Sequence, residues 1–307
     1  MSNYEPNDSA ADDSAEDGFA TKPTPTHYDG AQVVIVDDPA PGVRRVTLNR
    51  PEKRNALNHQ LRGELMHALQ SADVDPEVRV TIVRGAGTCF SAGYDLGGGN
   101  VGLEMPHFTA AGEGQWPRHV TETWMSIWDL AKPVIAQVHG YCLAGGSELA
   151  TGCDLVYVAE DAQMGYPAVR FGVPDMHFHA WFLGMRAAME MMLTGDSITG
   201  TEAVRLGWAN RAFPVDRLDA EVLAVAQRIA LTPPDIVALN KRTVHRQMDA
   251  MGMRAGIRQG TELCALGIKQ AGFIEFIDKM STDGLTAALQ ERDEPFGDYR
   301  TVEPHGA

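Results

Sequence analysis

The sequence predicts a mixed α/β core followed by a largely helical C-terminal region. Three observations predict it: short β-branched runs such as residues 78–83 and 134–138, amphipathic helical patterns between these runs, and mostly helical patterns beyond Met185. Each element follows from hydrophobic periodicity. Strands that alternate with helices are typical of a layered core in which helices cover a sheet.

The first elements are set by periodicity together with turn and capping residues. Residues 32–36 and 45–48 are predicted strands, joined through a turn rich in proline and glycine. Asn58 is predicted to cap a helix, because its side chain can accept a hydrogen bond from an N–H group of the first turn. The residues that recur every four positions on one face of this helix are Leu57, Leu61, Leu65 and Leu69.

The later elements follow the same reasoning. A helix over residues 118–131 is predicted from an apolar stripe that contains Val120, Trp124, Ile127, Trp128 and Ala131. The next elements are a strand at 134–138, a short helix that begins near Ser147 and a strand at 155–158. A further helix is expected to end at Gly195, with Met189, Met192 and Leu193 on one side.

Composition and charge exclude some classes of protein. The chain has 307 residues, of which 44% are hydrophobic and 22% are charged, and its formal net charge is −15. A general nucleic-acid-binding surface needs a basic face, so this charge argues against such a partner. Residues 1–30 are expected to be a disordered acidic tail rather than a secretory signal, because they contain no apolar run.

The chain is also expected to have no membrane partner. No apolar run approaches the roughly 20 residues that a membrane-spanning helix needs. The four cysteines lack CxxC spacing and are expected to be reduced thiols in a cytoplasmic protein, with a disulfide pair as the alternative. They are Cys89, Cys142, Cys153 and Cys264.

The stretch VIAQVHGYCLAGGSELATGCD (134–154) is the most informative part of the chain. A β-branched run ends at Val138, a glycine-rich turn follows, and the next segment carries one acidic side chain, Glu148. Small residues before a helix leave N–H groups open to a ligand, and the helix N-terminus adds about half a positive charge. An acid beside such donors can move protons next to a developing oxyanion. The stretch therefore predicts an enolate-forming site.

The chain resembles the crotonase (enoyl-CoA hydratase/isomerase) superfamily in four segments, in that family's order: LNRPEKRNALN (48–58), CFSAGYDL (89–96), PVIAQVHGYCLAGGSELATGCDLVYVAEDAQMGYP (133–167) and MEMMLTGDSITGTEAVRLGWANRAF (189–213). The resemblance implies a spiral of ββα units over residues 31–225. It implies that residues 226–307 form a helical oligomerisation region, giving a homo-oligomer that is a trimer or a dimer of trimers. The implied substrate is an acyl-CoA thioester, with coenzyme A as part of the substrate and no separate cofactor or metal.

The family's shared chemistry is stabilisation of a thioester enolate by two backbone N–H donors. Carried over by motif, these donors fall on Tyr94, after Ser-Ala-Gly, and on Gly145, within Ala-Gly-Gly. Without the resemblance, the two glycines at 145 and 146 would be read as a tight turn between a strand and a helix. The Tyr94 ring is a separate matter and is expected to pack over the acyl chain or in the core.

Glu148 is the acid that the resemblance assigns to catalysis, as one of two glutamates that flank the substrate in hydratases of the family. The alternative is an acid in the first helical turn that complements the helix dipole. Hydratases similar to this chain carry the second glutamate in a GxPE-like turn, whereas here GYP (165–167) is followed by Ala168. One carboxylate is therefore missing, which argues against efficient hydration.

The segment after Ala168 offers a substitute acid. Asp175 stands close to where the lost glutamate would be, and some relatives place a working aspartate in this region. Its alternative role is that of a turn residue after a proline. His177 and His179 would share a face of an extended segment, which permits a metal pair, although packed or surface histidines are the simpler interpretation.

Recognition of coenzyme A is implied by the resemblance alone. The residues assigned to it are Lys53, Arg54, Ala56, Leu57, Ala92 and Phe296. The two basic residues are expected near the phosphates, with a solvated surface charge as the alternative, and Phe296 or Arg292 is expected to reach a neighbouring subunit's ligand. Residues 97–114 are predicted to cover the acyl pocket or to be an insertion without function.

Two function hypotheses follow. The first is an acyl-CoA-processing enzyme, with hydration first and double-bond isomerisation, decarboxylation or thioester hydrolysis as alternatives. The second is a catalytically silent acyl-CoA-binding subunit that kept the donor pair after losing a carboxylate. Retention of Glu148 favours the enzyme.

Overall fold

The computed structural model describes residues 32–97, 112–173 and 178–297, and the predicted acidic tail lies outside these ranges. The strands are β1 (Val34–Ala40), β2 (Val43–Leu48), β3 (Val80–Gly85), β4 (Val134–Val138), β5 (Tyr141–Leu143), β6 (Leu155–Ala159), β7 (Gln163–Gly165), β8 (Ile198–Thr199) and β9 (Arg211–Phe213). The helices are α1 (His59–Val74), α2 (Gln115–Met125), α3 (Gly145–Gly152), α4 (His179–Leu183), α5 (Met185–Thr194), α6 (Gly200–Leu206), α7 (Val215–Ala230), α8 (Pro234–Ala250), α9 (Met253–Gly267), α10 (Ala271–Asp283) and α11 (Leu285–Asp293). The predicted mixed α/β core followed by helices is confirmed.

The core consists of two sheets. A six-stranded sheet has the order β1-β2-β3-β4-β6-β9, with β1 antiparallel to β2 and the other neighbours parallel. A three-stranded sheet has the order β5-β7-β8. The chain passes from one sheet to the other at Gly140, whose φ is +56° and whose added β-carbon would lie 2.1 Å from the Thr88 carbonyl oxygen. Only glycine fits this crossing, which delivers β5 and α3 beside residues 89–94.

The predicted buried faces of the first two long helices are confirmed. The Asn58 side chain accepts a hydrogen bond from the Leu61 N–H at 2.8 Å, which caps α1. The leucines of the predicted face of α1 are buried. The predicted apolar stripe lies on α2 and on the 3-10 turn after it, and its residues Val120, Trp124, Ile127 and Trp128 are also buried. Burying each such side chain contributes roughly 1.5–3 kcal/mol. These faces anchor α1 and α2 beside the segment that contains Tyr94.

The structure refines two of the predicted helices. α3 begins at Gly145 rather than near Ser147, because close packing against neighbouring residues outweighs the poor helix propensity of two glycines. α5 ends at Thr194, just before Gly195 as predicted, and Met189, Met192 and Leu193 lie on one side of it, where Met189 is 55% and Leu193 is 74% exposed. The helix packs instead through Ala188 and Met191, which are buried.

The helices α8 to α11 follow the sheets at the C-terminal end of the described chain. No single helix in the described ranges is both long and apolar enough to cross a membrane. The helices α7 and α8 reach that length and composition only when they are taken together, and they bend by 106° at the break between them.

The substitution Asn55→Ala tests the loop that leads into α1. Asn55 is fully buried at φ +52°, accepts a hydrogen bond from the Arg50 N–H, and donates to the carbonyls of Ala86 and Cys89, each at 2.9 Å. Loss of these bonds leaves buried carbonyls unsatisfied, so we expect the free energy of unfolding to fall by about 3 kcal/mol or more.

Denaturant unfolding measures this change. Asn240→Ala, at an exposed position of α8, is the matched control and should change stability by less than about 0.5 kcal/mol. Equal losses in the two variants would contradict the assigned role of Asn55.

Candidate functional site

Two chain segments meet at the centre of the site. The Ser91 N–H donates to the Tyr141 carbonyl and the Leu143 N–H donates to the Ser91 carbonyl, both at 3.0 Å. On the other side, the Leu57 N–H donates to the Gly93 carbonyl at 2.8 Å. Residues 91–94 are therefore held between the segment that precedes α1 and the strand β5 that leads into α3.

Gly93 permits the close approach of these segments. Its φ is +107°, and an added β-carbon would lie 3.0 Å from the Leu143 carbonyl oxygen and 3.4 Å from the Gly145 nitrogen. A side chain here would push the two segments apart and would also disfavour the backbone conformation. The absence of a side chain thus lets the peptide of Tyr94 approach that of Gly145.

The N–H groups of Tyr94 and Gly145 have no hydrogen-bond acceptor among the described residues. The parallel bridge between Leu57 and Tyr94 uses the Gly93 carbonyl and the Asp95 N–H, which leaves the Tyr94 N–H unused. Gly145 is the first residue of α3, where N–H groups have no acceptor within the helix. A pair of such donors, one of them at a helix N-terminus, can bind a carbonyl oxygen that gains negative charge.

Backbone strain marks the turn before this helix. Ala144 has φ +48° and ψ −121°, a conformation that residues other than glycine rarely adopt. Such a residue costs of the order of 1–3 kcal/mol, and strain of this kind is often found at functional sites. The Ala144 N–H donates to the Gly165 carbonyl at 2.9 Å, which holds the turn in place.

Glu148 lies in the first turn of α3 and is fully buried. The Tyr94 hydroxyl donates a hydrogen bond to its Oε2, and the Trp124 indole N–H donates to the Tyr94 hydroxyl oxygen at 2.9 Å. Burial raises the pKa of Tyr94 well above its usual range, and the neighbouring Glu148 carboxylate raises it further. Tyr94 therefore stays a neutral donor at the pH values at which proteins work.

Sequence reasoning missed the other polar groups around this pair. The Arg62 guanidinium is fully buried, contacts the His119 ring nitrogen at 2.6 Å, and lies 5.9 Å from the centre of the Tyr94 ring. The Trp116 ring meets the Tyr94 ring edge-on at 4.6 Å. The available signal was a charged residue beside the leucine face of α1, one position after Leu61.

The position of the missing glutamate is apolar. Ala168 is buried in a cluster with Tyr166, Phe171, Phe276 and Ala288, and the half-buried Ala144 packs against this cluster. The proposed substitute, Asp175, lies outside the described residues, as do His177 and residues 98–111 of the predicted pocket cover. His179 is fully buried, and its ring nitrogen contacts the Ser147 hydroxyl at 3.0 Å. No metal-binding group of three or more His, Cys, Asp or Glu side chains occurs in the described ranges.

Four of the residues predicted to hold coenzyme A lie in the segment before α1. Lys53 and Arg54 are exposed, Ala56 is half-buried and Leu57 is buried beside Tyr94. The Ala92 N–H already donates to the Arg54 carbonyl at 3.0 Å, so only its carbonyl remains for a ligand.

Phe296 contacts a different part of the chain. Its ring lies 4.4 Å from the Arg170 guanidinium carbon, near the 3-10 helix Pro167–Phe171 that carries Ala168. Arg292 pairs with the neighbouring Asp293 at 2.6 Å. Contact of either residue with another subunit's ligand remains a prediction.

Comparison with known proteins gives one consistent family. The sequence pattern of the enoyl-CoA hydratase/isomerase family matches residues 39–283. The chain is 31% identical to the mitochondrial enoyl-CoA hydratase of Pongo abelii over 259 residues, which cover 82% of this chain and 83% of the relative.

Two crystal structures show the same fold. An enoyl-CoA hydratase/isomerase from Xanthobacter autotrophicus Py2 matches with a TM-score of 0.79 and 35% identity, covering 88% of this chain and all of the other. An enoyl-CoA hydratase from Mycobacterium smegmatis matches with a TM-score of 0.80 and 31% identity, covering 90% of this chain and 98% of the other. The expected crotonase-like architecture is thereby confirmed.

The substitution Gly145→Ala tests the packing of this site. An added β-carbon would lie 2.5–2.7 Å from three atoms of the Tyr94 ring, so the ring must move. We expect a loss of about 1–3 kcal/mol of stability and a change in fluorescence from the neighbouring Trp116 and Trp124.

Denaturant unfolding followed by tryptophan emission measures both effects. Gly272→Ala on α10 is the control, because its added β-carbon meets no atom within 4 Å. If Gly145→Ala is as stable as this control and its emission is unchanged, the close contact of Tyr94 with Gly145 is wrong.

Proposed function

Because the chain belongs to the enoyl-CoA hydratase/isomerase family, we propose that it acts on acyl-CoA thioesters and that its reaction is hydration of a 2-enoyl-CoA. The observation that supports this proposal best is the pair of unbonded N–H groups of Tyr94 and Gly145 beside the buried carboxylate of Glu148. An acid next to an oxyanion site is what enolate chemistry requires.

The mechanism begins at the thioester oxygen. The two N–H groups donate to it, and each contributes about 3–4 kcal/mol as charge moves from the carbonyl to the enolate oxygen. In hydration, a water oxygen bonds to the β-carbon and Glu148 takes the proton that water releases. Glu148 then returns a proton to the α-carbon as the carbonyl re-forms, so the carboxylate ends each cycle as it began.

The coenzyme A end of the substrate is proposed to lie along the segment before α1. Lys53 and Arg54 are exposed and basic, which suits phosphates. The N–H groups of Ala56, Leu57 and Ala92 already donate within the chain, so their carbonyl oxygens are proposed to accept from the adenine end. Phe296 is proposed to approach the ligand of a neighbouring subunit.

The protein is proposed to be a cytoplasmic trimer or dimer of trimers whose C-terminal helices form the contacts. Support comes from large apolar side chains that are exposed on α8 and α9 and on the linker before α8. These are Leu231, Ile236, Leu239, Val244, Leu263 and Leu266. Such exposed apolar surface marks protein contact sites.

A second candidate reaction is double-bond isomerisation. Its support is the apolar surroundings of Ala168, where a hydratase of the family carries its other glutamate. Isomerisation needs one group to remove a proton from one carbon and deliver it to another, and Glu148 alone can do this through the same enolate.

Glu148→Gln tests the assigned acid. The glutamine keeps the size of the side chain but cannot carry protons, so we expect turnover to fall by about 100-fold or more while acyl-CoA binding changes little. Loss of the conjugated absorbance of crotonyl-CoA measures turnover, and calorimetry measures binding.

Glu190→Gln, at an exposed position of α5, is the control and should retain full turnover. If Glu148→Gln turns over at the normal rate, Glu148 has no part in the mechanism. If the wild type binds acyl-CoA esters of several chain lengths and converts none, the silent acyl-CoA-binding subunit is the better description.

Ala168→Glu tests the consequence of the missing carboxylate. Restoring a second acid should increase the hydration rate about tenfold or more, because water activation and proton delivery are then divided between two groups. Ala168→Gln has a similar volume without the charge and is the matched control. A hydration rate in Ala168→Glu no higher than in Ala168→Gln would show that another group already supplies this chemistry.

A further inference from the structure

Tyr94 carries a second chemical group besides its backbone N–H. We propose that the Tyr94 hydroxyl is a positioning group that holds the Glu148 carboxylate in the orientation needed for proton transfer. This inference rests on the proposed function, in which Glu148 moves protons to and from the acyl chain. It concerns a side chain whose role the backbone donor does not explain.

The hydrogen bonds around the hydroxyl set its direction. The Tyr94 hydroxyl oxygen accepts a hydrogen bond from the Trp124 N–H, and its one proton is donated to Glu148 Oε2. A carboxylate is planar, so fixing one oxygen and the carbon chain also fixes where Oε1 points. The hydroxyl therefore selects one rotamer of Glu148.

The ring of Tyr94 is itself held in place. It packs against the α-carbon of Gly145, where any side chain would collide with it, and it meets the Trp116 ring edge-on at 4.6 Å. The buried Arg62 guanidinium lies 5.9 Å from the ring centre. One residue thus fixes both the donor to the enolate oxygen and the orientation of the acid.

Because Glu148 is buried, the hydrogen bond from the Tyr94 hydroxyl stabilises its charged carboxylate. Glu148 is fully buried, and an ionised carboxylate in such surroundings is costly unless it accepts hydrogen bonds. The pKa of Tyr94 is raised by burial first and by Glu148 second, so the hydroxyl keeps its proton and continues to donate. The bond stabilises the ionised form of Glu148, which is the form that accepts a proton.

The absence of the second glutamate makes the orientation of Glu148 more important. With Ala168 in an apolar cluster, the proposed mechanism leaves Glu148 to accept and deliver every proton. A single acid that exchanges protons with two carbons, or with a water and a carbon, must be oriented accurately. Small misplacements of reacting groups lower rates steeply.

Tyr94→Phe removes the hydroxyl and leaves the ring and the backbone N–H. We expect kcat to fall about 10- to 100-fold while KM changes less than about threefold, because binding is retained and orientation is lost. The acidic limb of the pH profile of kcat/KM should move to higher pH, since the carboxylate loses a donor that favours its ionised form. Turnover of crotonyl-CoA between about pH 5 and 9 measures these quantities.

Two further variants separate positioning from packing. Tyr157→Phe removes a hydroxyl from another buried tyrosine, stacked on Phe213, and should leave kcat and the pH profile unchanged. Trp124→Phe removes the N–H that donates to Tyr94, and it should move the acidic limb in the same direction by a smaller amount. It also provides the test if Tyr94→Phe fails to fold.

The outcomes distinguish this inference from the function on which it rests. If the wild type is active and Tyr94→Phe keeps its kcat and its acidic limb, the positioning role alone is overturned. Trp124→Phe takes the place of Tyr94→Phe in this comparison if that variant does not fold. A wild type that converts no acyl-CoA ester overturns the proposed function and the positioning role with it. A lower kcat with an unmoved acidic limb would mean that the hydroxyl only packs, which also rejects the inference.

Discussion

The site depends on the close approach of two backbone segments at two glycines, Gly93 and Gly145. Residues 91–94 pair with β5 on one side and with the segment before α1 on the other, and Gly93 and Gly145 face each other without β-carbons. This approach brings together the peptides of Tyr94 and Gly145, whose N–H groups have no acceptor among the described residues, and it places the Tyr94 ring over Gly145. Any added side chain at either glycine would collide with the opposite segment.

This packing also sets the surroundings of the Glu148 carboxylate. The buried carboxylate of Glu148 accepts a hydrogen bond from the neutral Tyr94 hydroxyl, and the Arg62 guanidinium lies 5.9 Å from the centre of the Tyr94 ring. A hydroxyl orients the acid and leaves it reactive, which suits a group proposed to exchange protons in each cycle.

Local patterns account for what the sequence could predict. The Asn58 cap, the buried faces of α1 and α2, the β4 strand and the two loop glycines are all visible within short windows, as is Glu148. The Tyr94–Glu148 pair joins residues 54 positions apart, which no local pattern can show. From sequence, Arg62 would be predicted to be a surface charge on a helix, and only its contact with His119 of α2 in the folded chain shows otherwise. Periodicity places Met189 and Leu193 on one side of α5 but does not show that both are exposed, because it identifies an apolar side without identifying what covers it.

The most direct measurement is a crystal structure of the protein with a stable acyl-CoA analogue bound. We expect the thioester oxygen to lie about 2.7–3.1 Å from both the Tyr94 and the Gly145 nitrogens, with the α-carbon on the side of Glu148. A thioester oxygen that contacts neither nitrogen, in a complex with a fully occupied ligand, would contradict the assignment of this pair as the enolate-binding site.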